Sequence, residues 1–260
     1  MSGEPRLLRN EREIESAKAE ARFRTTTFRE RRVFFDRVSG TIAGSPFAFS
    51  RPLEFSDLAW DFMLRRGHVP GTATLFTGIE CLPGGHEITL GGDPSAGNRG
   101  WTGRSLWAER EDTNASAERT VEEVQEAART VLRESVQRDL DCSHGPALVP
   151  ISGGFDSRAI LACLLEHLSP SEIRTYTYGI PGSLDYEIGN AVAARAGTKH
   201  EAIDLRNVPL TYDDLVATAT RTHANTDLFQ PIVWLEVERR FGSAHTIWSG
   251  FAGDGLAGSW

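Results

Sequence analysis

A six-residue turn, Ser152-Gly153-Gly154-Phe155-Asp156-Ser157, separates a short apolar run, Ala147-Leu148-Val149-Pro150-Ile151, from a segment whose apolar residues recur at helical spacing. The order is strand, glycine turn, helix, and it constrains the fold more than any other feature of the chain. Such a turn aims backbone N–H groups and a helix N-terminus at one point, the geometry that binds a phosphate. Asp156 inside the loop would repel a bare phosphate, so the loop calls for Mg²⁺ between acid and anion. The lysine of G-x-x-x-x-G-K-[ST] is missing, and the pattern is not G-x-G-x-x-G. An ordinary glycine turn with Asp156 as helix cap is the plain structural alternative.

Around this loop, strands and helices alternate. Ile173 to Tyr178 is rich in β-formers, and His200 to Leu205 and Thr246-Ile247-Trp248 read as further strands. Ala159, Ile160, Cys163 and Leu164 share one helical face, and a second helix runs from a cap at Asp185 to Gly197. More helices are expected around 211–223 and 228–240. Upstream, Thr120 and Glu123 have the capping-box spacing, and Val121, Val124, Ala128, Val131, Leu132 and Val136 form a stripe expected to pack under the sheet. Alternation of this kind predicts a parallel sheet covered on both faces, with ligands bound beyond the carboxyl ends of its strands. Ser152-Gly153-Gly154, Tyr178-Gly179 and Ser249-Gly250 occupy those exits.

The first hundred residues differ. Residues 1–32, rich in Arg and Glu, predict a weakly packed arm. From Val33 the pattern turns β-like, with short pieces at 33–35, 41–42 and 47–49. Ser56 is the expected cap, and Gly67 the end, of a helix carrying Leu58, Phe62 and Met63. The glycine-rich stretch from Gly91 to Gly103 reads as a loop or linker.

Net charge of -8 disfavours a nucleic-acid partner and leaves the site to supply its own positive field for an anion. Cys81, Cys142 and Cys163 form no C-x-x-C pair, and their odd number suits a reducing compartment. With no apolar run long enough to span a bilayer and no signal-peptide core after Met1, the expected location is cytoplasmic, with no membrane partner.

Ser-Gly-Gly-x-Asp-Ser resembles the pyrophosphate loop of the family of asparagine synthetases, β-lactam synthetases and lasso-peptide cyclases. Residues 249–258, Ser-Gly-Phe-Ala-Gly-Asp-Gly-Leu-Ala-Gly, resemble a second motif of that family, SGEGADELFGG, and Asp254 falls on its metal-binding aspartate. A third likeness links Gly67-His68-Val69-Pro70-Gly71, Thr74 to Ile79 and Leu82 to His86 with the tail of the glutaminase domain.

The resemblance implies an α/β, parallel-sheet, Rossmann-like domain of the adenine nucleotide α-hydrolase type over 115–260, incomplete at its C-terminus. It follows a mainly β remnant of a glutaminase-like domain over 33–107. ATP would lie on Ser152, Gly153, Gly154, Phe155, Asp156 and Ser157, with adenosine against Ile151, Ser152, Tyr178, Ser249 and Gly250. Asp156 and Asp254 would hold Mg²⁺ as the catalytic acids. The implied activity is an ATP-dependent amide ligase acting on a small-molecule or peptide carboxylate.

The chain also departs from the family. Phe251 and Gly255 stand where the motif has glutamates, and Arg158 replaces a second serine. With Ser2 after Met1 and the first cysteine at Cys81, no glutamine hydrolysis is expected. The likeness suggests a synthetase cut at both ends, and leaves open whether a partner chain supplies the missing segments. The alternative is a catalytically impaired or inactive nucleotide-binding fragment.

Overall fold

The computed structural model describes residues 6–17, 22–26, 31–93, 98–106, 120–224 and 229–250. Contacts divide the chain into two units, Met1–Ala115 with Tyr212–Ile232, and Ser116–Thr211 with Val233–Trp260. Residues 212–232 group with the N-terminal part.

The first unit begins with β1 (Arg6–Leu8), α1 (Glu11–Ser16), β2 (Arg22–Thr25), β3 (Phe34–Asp36) and β4 (Thr41–Ala43). It continues through α2 (Asp57–Arg66), β5 (Ile79–Cys81), β6 (His86–Asp93) and β7 (Asn98–Ser105). One sheet has the order β1-β2-β6-β7 and another the order β4-β3-β5. Residues 6–17 and 22–25 are thus no loose arm. Leu8, Ile14, Ala17 and Phe23 are at most 1% exposed and pack with Val33, Phe35, Ile42, Leu82 and Ile88. Burial of each large side chain contributes about 1.5–3 kcal/mol, which outweighs the charged composition around it. Arg22 and Arg24 meanwhile pair with Glu87 of β6.

Two further expectations are corrected here. The glycine-rich stretch from Gly91 is not a linker, since β6 and β7 pair antiparallel from His86↔Ser105 to Asp93↔Asn98. Residues 46–48 form a 3₁₀ turn rather than a strand, because Ser45 caps it and Pro46 starts it. Helix α2 is bounded by Ser56 and Gly67 as the sequence predicts.

The second unit opens with α3 (Val121–Cys142), β8 (Ala147–Pro150), α4 (Phe155–Leu165), β9 (Ile173–Gly179), α5 (Leu184–Ala196) and β10 (Lys199–Asp204). After α6 (Tyr212–Arg221), which belongs to the first unit, come α7 (Phe229–Phe241) and β11 (Thr246–Ile247). The sheet is parallel throughout, in the order β10-β9-β8-β11. Its core joins Val149, Ile151, Leu161, Leu164, Ile173 and Trp248, with Val136 and the half-buried Leu132 and Leu140 from α3. Thr120 closes the α3 capping box with Glu123. Only the C-terminal half of the α3 stripe reaches the core, however. Val121, Val124 and Val131 are 67%, 52% and 62% exposed, because a 22-residue helix outruns a four-residue strand.

Candidate functional site

Numbered from β8, the strands run 3-2-1-4 across the sheet. Chain direction across the sheet reverses between β8 and β11, and a crevice opens beyond the carboxyl ends of parallel strands at such a switch point. A cleft of about 270 Å³ lies there. Ile151, Ser152, Gly154, Asp156 and Ser157 after β8, Tyr178 at the end of β9, and Ser249 and Gly250 after β11 line it.

The loop is held by its own serines. Ser152 N–H donates to Ser157 Oγ (3.3 Å), Ser157 Oγ to the Gly154 carbonyl (3.3 Å), and Gly154 N–H to Ser152 Oγ (3.2 Å). Thr177 Oγ1 donates to the Ile151 carbonyl (2.8 Å), which fixes the point where the chain leaves the sheet. Gly154 takes the N-cap position of α4, and no side chain caps that helix. The first-turn N–H groups are therefore available to an anion at the positive end of the helix dipole. Asp156 lies inside the first turn, so the capping role that the plain alternative gave it is ruled out.

Eight of the eleven predicted site residues thus line one cleft. Gly153 and Phe155 are not among the residues that line it, and Phe155 is 82% exposed. Asp254 lies outside the described residues.

One residue was assigned elsewhere by sequence. Asp185 is not the cap of α5. Ser183 holds that position, and Asp185, in the first helical turn, lines the cleft and accepts the Gly153 N–H at 3.2 Å. Its place just after a strand exit was the available signal. The cleft therefore carries two acids among its described residues, Asp156 and Asp185, opposite a set of backbone donors. No group of three or more His, Cys, Asp or Glu side chains converges as a metal cage among the described residues.

A larger hollow, about 790 Å³, opens at the other edge of the sheet, beside Ala147, Arg174 and Lys199 at the amino ends of β8, β9 and β10. It has neither a glycine loop nor an uncapped helix start, and strand polarity favours the smaller cleft. Among the described residues no helix is long and apolar enough to cross a membrane.

Compared with known families, residues 127–229 match a family model described as asparagine synthase. The matched segment contains the loop, β8 to β10, and helices α4 and α5.

Proposed function

From the match of residues 127–229 to the asparagine synthase family model, we propose that this chain is an ATP-dependent ligase that joins a carboxylate to an amine. The observation that carries the proposal is the uncapped start of α4 at the sheet's switch point, with Asp156 inside the turn. The residues fit a nucleotide with its cation. Orphan N–H groups at a helix N-terminus suit phosphate, and the acids suit a hard divalent ion. Gly250 lets the chain after β11 pack directly on the Asp156 backbone, where a Cβ would clash.

In this reading the backbone of residues 152–157 binds the pyrophosphate part of ATP. Ile151, Ser152, Tyr178, Ser249 and Gly250 hold the adenosine, and Asp156 with Asp254 holds Mg²⁺. The ion, when bound, neutralises charge on the phosphates and eases departure of pyrophosphate. The uncapped first-turn N–H groups of α4 orient the phosphate chain and stabilise the negative charge that the leaving group gains. A substrate carboxylate oxygen attacks the α-phosphorus, the bond to the β-phosphate oxygen breaks, and pyrophosphate leaves. An amine nitrogen then attacks the activated carbonyl, AMP departs, and an amide forms. A substrate that carries its own amine needs no ammonia source. The Rossmann-like character of residues 115–260, the glutaminase-like ancestry of 33–107 and a cytoplasmic location belong to the same proposal.

ATP–pyrophosphate exchange with a panel of carboxylic acids tests it. Exchange that disappears in Asp156→Ala supports the ligase. ATP binding without exchange favours the inactive nucleotide-binding fragment, to which Phe251 and Gly255 in place of the family glutamates point. Ammonia release from glutamine would overturn the expectation of no glutaminase activity.

A further inference from the structure

The departure at Arg158 has a structural role. Its Nη2 donates to the Gly153 carbonyl and its Nε to the Gly154 carbonyl, both at 3.1 Å. Its guanidinium lies 4.4 Å from the centroid of the Phe155 ring. We propose that Arg158 is a positioning residue that fixes the peptide planes of the loop so that their N–H groups face the cleft, which rests on the nucleotide-binding reading above.

The geometry follows from peptide planarity. In a trans peptide the carbonyl and the N–H of the next residue point in opposite directions. The carbonyls of Gly153 and Gly154 belong to the peptide units that carry the N–H groups of Gly154 and Phe155. Drawing both carbonyls toward Arg158 turns both N–H groups away from it. One of these, Gly154 N–H, meets Ser152 Oγ, a side chain of the cleft. The other, Phe155 N–H, is the first orphan donor of α4.

Two consecutive glycines would otherwise leave the loop with many accessible conformations. A planar fork can bind two carbonyls at once, whereas an ammonium acts as a single point of charge. A serine, the residue of the resembling family, is too short to bind both. Stacking on Phe155 holds the fork in place and explains why so exposed a phenylalanine sits in the loop. From the opposite side Asp185 holds the Gly153 N–H, so Gly153 is gripped through both its donor and its acceptor.

The test compares wild type with Arg158→Ser and Arg158→Lys by calorimetric titration with Mg-ATP and, separately, with adenosine, which has no phosphate. Amide hydrogen exchange of the unliganded chain is measured in parallel. In Arg158→Ser, Mg-ATP affinity is expected to fall about tenfold or more, while adenosine affinity changes less than about twofold. Arg158→Lys falls between. Exchange at the amide of Gly154, which donates to Ser152 Oγ, rises in Arg158→Ser and that of Val149 does not. Equal loss for ATP and adenosine, or unaltered loop exchange, overturns the inference. A wild-type chain that binds neither compound overturns the nucleotide reading and the phosphate role together, a result that the exchange data separate from failure of the loop clamp itself.

Discussion

Gly250 packs backbone to backbone against Asp156. A Cβ built on Gly250 would lie 2.6 Å from the Asp156 carbonyl carbon and 2.7 Å from the Ser157 nitrogen. Neither atom is the end of a flexible side chain, so the start of α4 would have to move. Gly250→Ala is expected to cost about 1–3 kcal/mol of stability and to remove most ATP affinity. Thermal unfolding and ATP titration of the variant check both. An alanine variant that binds ATP as wild type does would show that the contact is not needed.

The acid in the loop predicts cation dependence. At about 100 times its Kd, Mg-ATP should stabilise the wild-type chain by about 2.7 kcal/mol. Chelating the metal should remove most of that gain. In Asp156→Asn the gain should be small with or without metal. A thermal-shift series in EDTA and in Mg²⁺ decides it, and a wild-type response indifferent to metal contradicts a role for Mg²⁺.

Gly189 brings α5 close to the sheet beneath the site. A Cβ there would meet Thr177 Oγ1 at 2.5 Å and the Ile151 carbonyl at 2.7 Å, the two partners of the bond that fixes the strand exit. Gly189→Ala is expected to destabilise by about 1–3 kcal/mol and to weaken nucleotide binding by disturbing Ile151. Urea midpoints alongside ATP titration would reveal either effect.

His200 predicts a pH dependence. Nδ1 lies 2.9 Å from Thr175 Oγ1 and Nε2 lies 3.0 Å from Asn190 Oδ1. The neutral tautomer with its proton on Nε2 satisfies both bonds. Burial is the main influence and holds His200 below its ordinary value, against the opposing effects of Glu201 and the Thr175 backbone. The unfolded chain therefore binds the proton more readily. The contribution to stability is complete above the unfolded value of about 6.5 and is lost as pH falls through the folded value. The slope stays within about 1.4 kcal/mol per pH unit. Denaturant unfolding between pH 7.5 and 5 should show this slope in wild type and a flatter one in His200→Gln.

The N-terminal stretch offers a plain packing test. Ile14 is 1% exposed within the first unit's core, and Ile14→Ala should cost about 2–5 kcal/mol. A loss below about 0.5 kcal/mol, as at an unburied site, would return residues 6–17 to the status of an arm.

The parallel sheet, its helices and the loop were legible because each rests on local rules. Period-2 and period-3.6 patterns marked β8, β9, α4 and α5, and glycines beside apolar strands marked the exits. Thr120 and Ser56 were readable as caps since a cap needs only its own next three residues. The charged N-terminal stretch misled because Leu8, Ile14 and Phe23 are too widely spaced to form a local pattern, and their partners lie as far away as Ile88.

By itself, then, the order of residues determined a glycine turn between strand and helix, the acid within it, and the alternation that makes a parallel sheet. Tertiary structure decided the rest. It placed Gly250 on Asp156, swung Asp185 from an expected cap to a bond with Gly153, and turned Arg158 onto two loop carbonyls. Those relationships join segments tens of residues apart, or depend on a side-chain direction, and only the packed backbone fixes either.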